Sequence, residues 1–335
     1  MSEMRSEIEI RRYVPADCGV WDEFVDGARN STFLFRREYM DYHADRFEDF
    51  SLMAFREGKL CALLPADVTP DGVLHSHRGL SYGGWILPKA HLDGTGVLRL
   101  FENTIDFCHE AGISALDYKA LPSIYASYPS QEDIYALFRL GAIISETTLS
   151  STVDLRNPLP FNKLQRRMLR KAEKLNPGFV SSPLSGEWDV TPFWEMLAIC
   201  LSERHGAVPV HSCSELSLLY HRFPRNIRFF MAISPVSGLP AAGVCMFVTE
   251  SVVHCQYICT TEEGRDRGLL PWLFDRLIHN EYALSLHPEQ TQRWFDFGTS
   301  NEDGGRVLNE GLLRQKFSLG GTGVACQRFL LEIPS

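Results

Sequence analysis

The hydrophobic pattern of the second half of the chain switches between helical and strand spacing in a definite order. Apolar residues recur every three to four positions in the predicted helices, and they form short β-branched or alternating runs in the predicted strands. The predicted helices are 192–205, 214–223 (with Ser214 as candidate N-cap), one from about 270 and one that ends at Gly320; the predicted strands lie within 226–261, 293–300 and 323–333. Two helices, a strand meander, and then helix, strand, helix and strand predict an α/β or α+β fold.

The first half repeats most of this order after one additional strand at its start. Glycine-containing turns at Glu57-Gly58 and Pro70-Asp71-Gly72 divide a predicted set of hairpins. The predicted first strand is 8–14, and the predicted helices are 21–28, 36–47 and 96–112.

Two distant helix ends have similar sequences, LFRLGA at 137–142 and QKFSLGG at 315–321. Each follows a short strand that contains an aspartate, Asp117 or Asp296, and each ends at a glycine 24 positions after that aspartate. A glycine just past a helix adopts the left-handed conformation that closes the last turn. Several positions coincide at one numbering offset, the 179 that separates Asp117 from Asp296, which indicates an internal duplication and therefore two copies of one fold.

The composition narrows the class of protein. Of 335 residues, 44% are hydrophobic and 22% are charged, as in soluble globular proteins, and this length suits two domains. No apolar run reaches the roughly 20 residues of a membrane span, and the charged N-terminus lacks the apolar stretch of a secretion signal. Nine scattered cysteines favour reduced thiols, so we expect a cytoplasmic protein with no metal site. The net charge of −9 disfavours broad nucleic-acid binding.

A basic segment separates the two halves. Residues 158–175 are bounded by proline and by an N-P-G sequence, and they carry six cations against one acid. We interpret this segment as a connector helix and a solvated linker. The alternative is a contact with the phosphates of an RNA or a nucleotide. The predicted domains are therefore 1–157 and 177–335, joined by a basic helix over 158–176.

A candidate anion site follows the strand that ends near Thr260. Residues 265–270 read R-D-R-G-L-L and are predicted to form a loop that enters a helix at about Leu270. Backbone amides at a helix N-terminus and arginine side chains both suit phosphate. The candidate cofactor-binding residues are Arg265, Asp266, Arg267, Gly268, Leu269 and Leu270. An exposed turn with no ligand is the alternative interpretation.

This segment resembles the pyrophosphate loop of the GNAT superfamily of N-acetyltransferases, Arg-x-x-Gly-x-(Gly/Ala), at Arg265 and Gly268, whereas Leu270 departs from it. The basic RRMLRKAEK helix and the ending Gly-x-x-x-x-Lys-Phe-x-x-Gly-Gly over 311–321 are similar to FemAB-like transferases. The resemblance implies two tandem GNAT-like domains, each a mixed, mostly antiparallel sheet flanked by helices. It also implies acyl-CoA or acetyl-CoA as donor. The first half lacks a recognisable loop, so we expect the donor in the second half.

In GNAT enzymes an amine attacks the thioester directly, so the resemblance implies residues that position both substrates and move protons. The strand before the loop carries His254, Gln256 and Tyr257, and strict alternation would place Tyr257 on the face opposite His254 and Gln256. Asp296 lies on the next strand, and Lys316 lies at the end of the last helix. The candidate catalytic residues are His254, Tyr257, Asp296 and Lys316, each of which could instead serve only packing or hydrogen bonding.

Further polar residues are candidates for substrate binding. The stretch HSHRGLSYGGWI, 75–86, has many glycines and hydrogen-bonding side chains, and the resemblance suggests that it forms a wall for the acceptor in a cleft between the halves. A loop of the second half, PVHS, is expected to lie over the substrate. The candidate substrate-binding residues are His77, Arg78, Tyr82, Gly83, His211, Ser300 and Asn301.

The sequence therefore predicts a cytoplasmic acyltransferase that moves an acyl group from a CoA-type thioester to an amine on a small molecule or peptide. One alternative is an aminoacyl-tRNA-dependent transferase of the FemAB type, which the basic helix supports. A second alternative is a GNAT-like binding protein without catalytic activity, because Leu270 departs from the loop motif and no single carboxylate base stands out.

Overall fold

The computed structural model describes residues 8–334, and the chain divides into two compact units. Unit 1 contains the residues up to 148 together with 304–306 and 325 onwards, and unit 2 contains 149–303 and 307–324. The strands Ile143–Asp154 and Thr322–Glu332 therefore have residues in both units. The last residues return to unit 1, so these units have other bounds than the predicted domains; where the duplicated copies begin and end stays a prediction.

Unit 1, as far as the structure describes it, has two sheets and four α-helices. Its strands are β1 Ile8–Arg12, β2 Glu48–Asp49, β3 Leu52–Arg56, β4 Lys59–Leu64, β5 Asp67–Val68, β6 Val73–His75 and β7 Ala115–Lys119, and its helices are α1 Cys18–Gly27, α2 Arg37–Met40, α3 Gly94–Glu110 and α4 Glu132–Arg139. Strands β1, β3 and β4 form one antiparallel sheet. In the other sheet, β6 pairs in parallel with β7, and β7 pairs antiparallel with the end of the last strand of the chain.

Unit 2 is built on one larger sheet. The strands of unit 2 are β8 Ile143–Asp154 (from residue 149), β9 Gly178–Ser181, β10 Ile227–Ile233, β11 Pro240–Val248, β12 Val252–Thr260, β13 Trp294–Thr299, β14 Asn301–Glu302 and β15 Val307–Leu308. The closing strand β16 is Thr322–Glu332, and β14 and β15 pair with each other in a separate two-stranded sheet. The helices of unit 2 are α5 Lys163–Glu173, α6 Thr191–His205, α7 Cys213–Arg222, α8 Glu262–Arg267, α9 Leu269–Arg276 and α10 Glu310–Ser318, and a π-helical segment, Leu277–Glu281, extends α9. The order β8-β13-β12-β11-β10-β9 is antiparallel except between β12 and β13.

The same succession occurs twice along the chain: a strand, a helical crossover to a parallel strand, a second helix and a long closing strand. Its first occurrence is β6, α3, β7, α4 and β8, and its second is β12, α8 and α9, β13, α10 and β16. The predicted fold class, a mixed and mostly antiparallel α/β structure flanked by helices, is confirmed. None of the helices in the described part of the chain has the length and apolar character needed to cross a membrane.

Each unit has its own hydrophobic core. In unit 1 the core contains Trp85, Phe101 and Tyr118, and it also takes Phe329 and Leu331 from β16. In unit 2 the sheet residues Phe230, Phe295 and Phe297 pack against Leu273 and Phe274 of α9. Burial of one such side chain stabilises a fold by roughly 1.5–3 kcal/mol. The contribution of β16 explains why the end of the chain belongs to unit 1.

Local sequence signals explain several helix starts, and the structure corrects three predictions about helices. The N-cap of α7 is Ser212 and not Ser214, because Ser212 and Glu215 form a reciprocal capping box. The predicted helix over 36–47 is only one turn, Arg37–Met40, followed by a 3₁₀ turn. The predicted loop before residue 270 is largely the helix α8, whose N-cap is Thr261.

Candidate active site

The parallel pairing of β12 with β13 ends at a histidine and an aspartate. The paired residues are Val252 with Trp294, Val253 with Phe295, and His254 with Asp296, and the pairing goes no further. Beyond this point both strands are irregular. Gln256 is the extra residue of a β-bulge in β12, and Gly298 in β13 has a positive φ of 78°. These irregularities end the ladder in the interior of the sheet.

Asp296 is the hydrogen-bonding centre of this region. Only 2% of the residue is exposed, and its Oδ2 lies 2.8 Å from His254 Nδ1. Its Oδ1 accepts a hydrogen bond from the backbone N–H of Gly298 at 3.0 Å and another from the hydroxyl of Ser150 on β8. Burial alone would raise the pKa of Asp296, but His254, Ser150 and Gly298 together hold it below its ordinary value. Asp296 is therefore ionised at neutral pH.

Lys316 extends from α10 to the same region. The residue is 5% exposed, and its Nζ donates to the backbone oxygens of Gly298 at 2.8 Å and Thr299 at 2.6 Å. Burial lowers the pKa of Lys316 to about 8, although the nearby charge of Asp296 acts in the opposite direction. A substantial fraction of this side chain is therefore a neutral amine slightly above neutral pH.

A cavity of about 290 Å³ adjoins the amine of Lys316. It lies in unit 2, and most of its wall is apolar. The lining residues are Cys200, Leu201, Ile258, Cys259, Thr260, Leu270, Phe274, Phe297, Asn309, Leu312, Gln315, Lys316 and Leu319. The arrangement combines an apolar slot with one amine of lowered pKa.

The predicted anion segment 265–270 is not a loop. Arg265 belongs to α8, and its Nη1 donates to the backbone oxygen of Thr260 at 2.9 Å. Arg267 forms an ion pair with Glu263, one turn earlier, at 3.0 Å. Both arginines therefore contact protein groups, and the prediction of a loop was wrong because T-E-E-G-R-D-R-G carries the start and stop signals of a short helix.

Gly268 ends α8 in the left-handed conformation, with φ of 73°, and lies directly against α5. A Cβ atom at this position would be 2.6 Å from the backbone oxygen of Met168. Lys171 of α5 also donates to the backbone oxygen of Asp266 at 2.6 Å. Helix packing thus accounts for Gly268. Leu269 and Leu270 are both buried. Binding of a pyrophosphate at 265–270 stays a prediction.

Tyr257 and His211 form a separate pair. The Tyr257 oxygen lies 2.6 Å from His211 Nδ1 and accepts a hydrogen bond from the His211 backbone N–H at 3.3 Å. Burial raises the pKa of Tyr257 above its ordinary value. Neither residue lines the cavity beside Lys316. The bulge at Gln256 adds a residue between His254 and Tyr257 and interrupts the strict alternation expected along β12.

Ser300 and Asn301 connect β13 to β8. The backbone N–H of Ser300 donates to the oxygen of Leu149 at 3.0 Å, and the side-chain oxygen of Asn301 accepts from the N–H of Leu149 at 2.7 Å. These contacts fix the strand that carries Ser150. A contact of Ser300 and Asn301 with substrate stays a prediction.

The four candidates of the first half lie in unit 1 and have internal partners. His77 has a positive φ of 63°, stacks on His43, and has its pKa lowered to about 3 by burial. The remaining contacts follow: Arg78 binds Asp67 through its backbone N and its Nε, Tyr82 donates to Thr32, and a Cβ at Gly83 would lie 2.0 Å from the oxygen of Ser76. Their role in acceptor binding stays a prediction.

The sequence interpretation missed a second histidine–aspartate pair. His75 and Asp117 are parallel partners in β6 and β7, and His75 Nδ1 lies 3.0 Å from Asp117 Oδ2. Both residues precede their counterparts, His254 and Asp296, by 179 positions. The offset that related the aspartates also related the histidines, so the signal was available. No group of metal-binding side chains occurs among residues 8–334 that the structure describes.

Comparison with known proteins places the fold. No family model matches the chain, and no curated protein matches it. Solved structures do match over nearly the whole length. FemX has a TM-score of 0.63 at 13% identity and covers 97% of both chains. A tandem GNAT protein from the clavulanic acid biosynthesis pathway, solved without AcCoA, has a TM-score of 0.52 at 13% identity, with 98% of this chain and 99% of that chain covered.

L-PGS from Bacillus licheniformis is also similar, with a TM-score of 0.57 at 12% identity, 98% of this chain and 93% of that chain covered. At such identities a likeness shows the fold and not the reaction. The chain therefore has the tandem GNAT, FemAB-like fold that its sequence resembles, and the resemblance is confirmed at that level.

Proposed function

We propose that unit 2 is an acyltransferase that moves an acyl group from an activated donor to an amine. One observation carries this proposal: a buried lysine of lowered pKa stands at the end of the β12–β13 ladder, beside an apolar slot and next to an ionised aspartate. Such a slot suits the apolar arm and acyl group of a thioester, and the amine can move the proton that the reaction releases.

In the proposed reaction, the neutral acceptor amine attacks the acyl carbonyl. A C–N bond forms, the bond from carbon to the donor sulfur breaks, and the donor leaves as a thiolate. The acceptor nitrogen gives up one proton, and the thiolate takes one. No covalent enzyme intermediate is needed, so the protein positions the two substrates and transfers the proton.

The hydrogen bonds of Lys316 suit this transfer. As a neutral amine, Lys316 has two N–H groups, which match the two backbone oxygens of Gly298 and Thr299. Its lone pair then remains to accept the proton of the acceptor amine. After accepting it, the ammonium has a third N–H with which to protonate the departing thiolate.

His254 and Asp296 form the second part of the proposed machinery. Asp296 is ionised and can only accept hydrogen bonds, so the proton of His254 lies on Nδ1. The other ring nitrogen, Nε2, is then basic. We assign His254 as a second proton acceptor and Asp296 as the residue that fixes its tautomer and orientation. A catalytic role of Tyr257 finds no such support, because it pairs with His211.

For the donor we propose a CoA-type thioester, and for the acceptor a small-molecule or peptide amine. Thermal unfolding of the full chain with CoA and acetyl-CoA tests the donor: binding raises the melting temperature. A Lys316→Met variant should still show that rise but lose transfer activity by about 100-fold or more. Arg225→Met removes an exposed cation of the same unit and should change neither. If no CoA ester raises the melting temperature, the thioester donor is wrong.

A second candidate donor is aminoacyl-tRNA, and the surface of α5 favours it. Six cations on or next to this helix are exposed: Lys163, Arg166, Arg167, Arg170, Lys171 and Lys174. The helix contacts two of the elements that line the slot, α10 and α9. Its Gln165 donates to Ser318 at the end of α10, and its Met168 touches Gly268 at the start of α9. An RNA end bound on α5 would thus lie beside the slot.

Retention of charged tRNA at rising salt tests this candidate. Replacing Arg166, Arg167 and Arg170 by glutamine should abolish salt-sensitive binding, because each lost phosphate contact lowers the salt dependence. Unchanged retention would exclude a role for α5. If neither CoA esters nor charged tRNA bind, the non-catalytic binding protein is the better interpretation.

We also propose a cytoplasmic location, which the nine free cysteines support.

A further inference from the structure

A second cavity, of about 550 Å³, lies in unit 1 and is lined by three arginines. The arginines come from three different parts of the fold: Arg29 follows α1, Arg56 ends β3, and Arg99 lies in α3. The other lining residues are Ala90, His91, Leu92, Asp93, Thr95 and Gly96. Nothing in the proposed acyl transfer uses these residues.

Arg29 is the most buried of the three, with 8% of the residue exposed. Its Nε donates to the hydroxyl of Ser130 at 3.1 Å, which fixes the plane of the guanidinium. Its buried Nη2 forms an ion pair with Glu132, 3.0 Å from Oε1. The Arg29 guanidinium is therefore held in place at the wall of the cavity, where its charge suits an anionic ligand.

The other two arginines are more exposed to solvent than Arg29. Arg99 is half-buried, and within residues 8–334 it has neither an ion-pair nor a hydrogen-bond partner. Arg56 is exposed and donates to the backbone oxygen of His91 over a long 3.4 Å. Both side chains line the cavity, and a guanidinium group binds phosphate oxygens in pairs.

The start of α3 lies at the same cavity. Asp93 caps this 17-residue helix by accepting from the N–H of Gly96 at 2.8 Å. Thr95, in the first turn, lines the cavity, and its N–H has no acceptor within the helix. Two carboxylates border the site, but Asp93 is engaged in the cap and Glu132 stands next to Arg29. Three guanidinium groups thus outnumber two carboxylates.

We propose that this arginine cavity binds a phosphate-bearing small molecule, with its anionic group between Arg29, Arg56 and Arg99. The volume exceeds what one phosphate needs and falls within the range of small-molecule sites. The phosphate could belong to free pyrophosphate or to a nucleoside diphosphate, and both share the chemistry that the arginines recognise. This inference is independent of the acyl transfer proposed for unit 2.

Calorimetric titration of the full chain with pyrophosphate tests the inference. Arg99→Gln and Arg56→Gln should each weaken binding by about tenfold, the usual effect of one charge-assisted hydrogen bond. Arg139→Gln, on the exposed end of α4, removes the same charge elsewhere in unit 1 and should bind like the parent protein. Lys316→Met should also bind normally, which separates this site from the acyl slot.

Titration with ADP distinguishes the two sources of phosphate. Tighter binding of ADP than of pyrophosphate, with the same loss in Arg99→Gln, assigns the site to a nucleotide; the reverse order assigns it to the inorganic anion. The inference is overturned if neither compound binds at millimolar concentration. It is equally overturned if both cavity variants bind as tightly as the Arg139→Gln control.

Discussion

The two histidine–aspartate pairs occupy the same register in their units, but their neighbours differ. In unit 1, Asp117 accepts from two nitrogens of Arg328, each at 2.5 Å, so an arginine fork neutralises it. In unit 2, the corresponding Asp296 accepts from the hydroxyl of Ser150 and retains its charge beside Lys316. One backbone plan therefore presents a closed ion pair in one copy and a charged pair beside an amine in the other.

Two further positions, related by the same offset, complete the contrast. Lys119 corresponds to Gly298, and its Nζ donates to the backbone oxygen of Leu80. Leu137 corresponds to Lys316 and is fully buried in the core of unit 1. The comparison teaches that the backbone of a duplicated fold does not make a site. A few side chains around the shared pair decide which copy keeps a reactive group.

The largest expected effect comes from exchanging the residues at the Leu137 and Lys316 positions. Leu137→Lys buries an amine without polar partners and should lower the free energy of unfolding by roughly 3–5 kcal/mol. Lys316→Leu loses two hydrogen bonds but also relieves the burial of an amine, so its stability should change by at most about 1 kcal/mol. Urea unfolding of both variants measures the difference. Equal destabilisation would contradict the asymmetry of the two copies.

The pH dependence of stability gives a somewhat smaller signal from the same lysine. Because the pKa of Lys316 is about 8 when folded and ordinary when unfolded, the unfolded chain binds the extra proton between these values. The folded protein should therefore gain stability relative to Lys316→Met as the pH rises from about 8 to about 10.5, by a few kcal/mol at most. Thermal unfolding of both proteins across this range measures the gain. Parallel curves would show that the pKa of Lys316 is not lowered.

The smallest effect is expected at Gly298, where the two copies differ in backbone conformation. Gly298→Ala and Gly238→Ala each place a side chain at a positive φ, which costs roughly 1–2 kcal/mol. Gly238 has open space around it, whereas a Cβ at Gly298 would lie 3.4 Å from His254 Cε1. Nuclear magnetic resonance should therefore show changed chemical shifts of the His254 ring in Gly298→Ala and not in Gly238→Ala. An unchanged His254 would remove Gly298 from the site.

The sequence predicted the succession of elements because that succession depends on local periodicity and on repeated spacing. The offset of 179 related Asp117 to Asp296, and the structure shows both in equivalent parallel pairs. The same offset would have revealed His75 and His254, had the histidines been compared as well.

Other features depend on tertiary packing that one sequence does not display. The bulge at Gln256 has no turn residue to announce it, yet it changes the placement of Tyr257. Gly268 matched a phosphate motif, but the structure places it against Met168 of a helix that had been interpreted as a connector. The burial of His77 and Tyr82 in unit 1 is likewise a result of packing that the sequence does not display.

The return of β16 to unit 1 has a consequence for synthesis. The segment that ends at Thr148 is synthesised before Phe329 and Leu331, the two residues that complete the core of unit 1. At roughly 5–20 residues per second, the intervening chain takes on the order of 10 to 35 seconds to translate. During this interval unit 1 exposes the edge of β7 and the core surface that β16 will cover. The nascent chain therefore closes its first unit last, and a chaperone has a defined time in which to shield it.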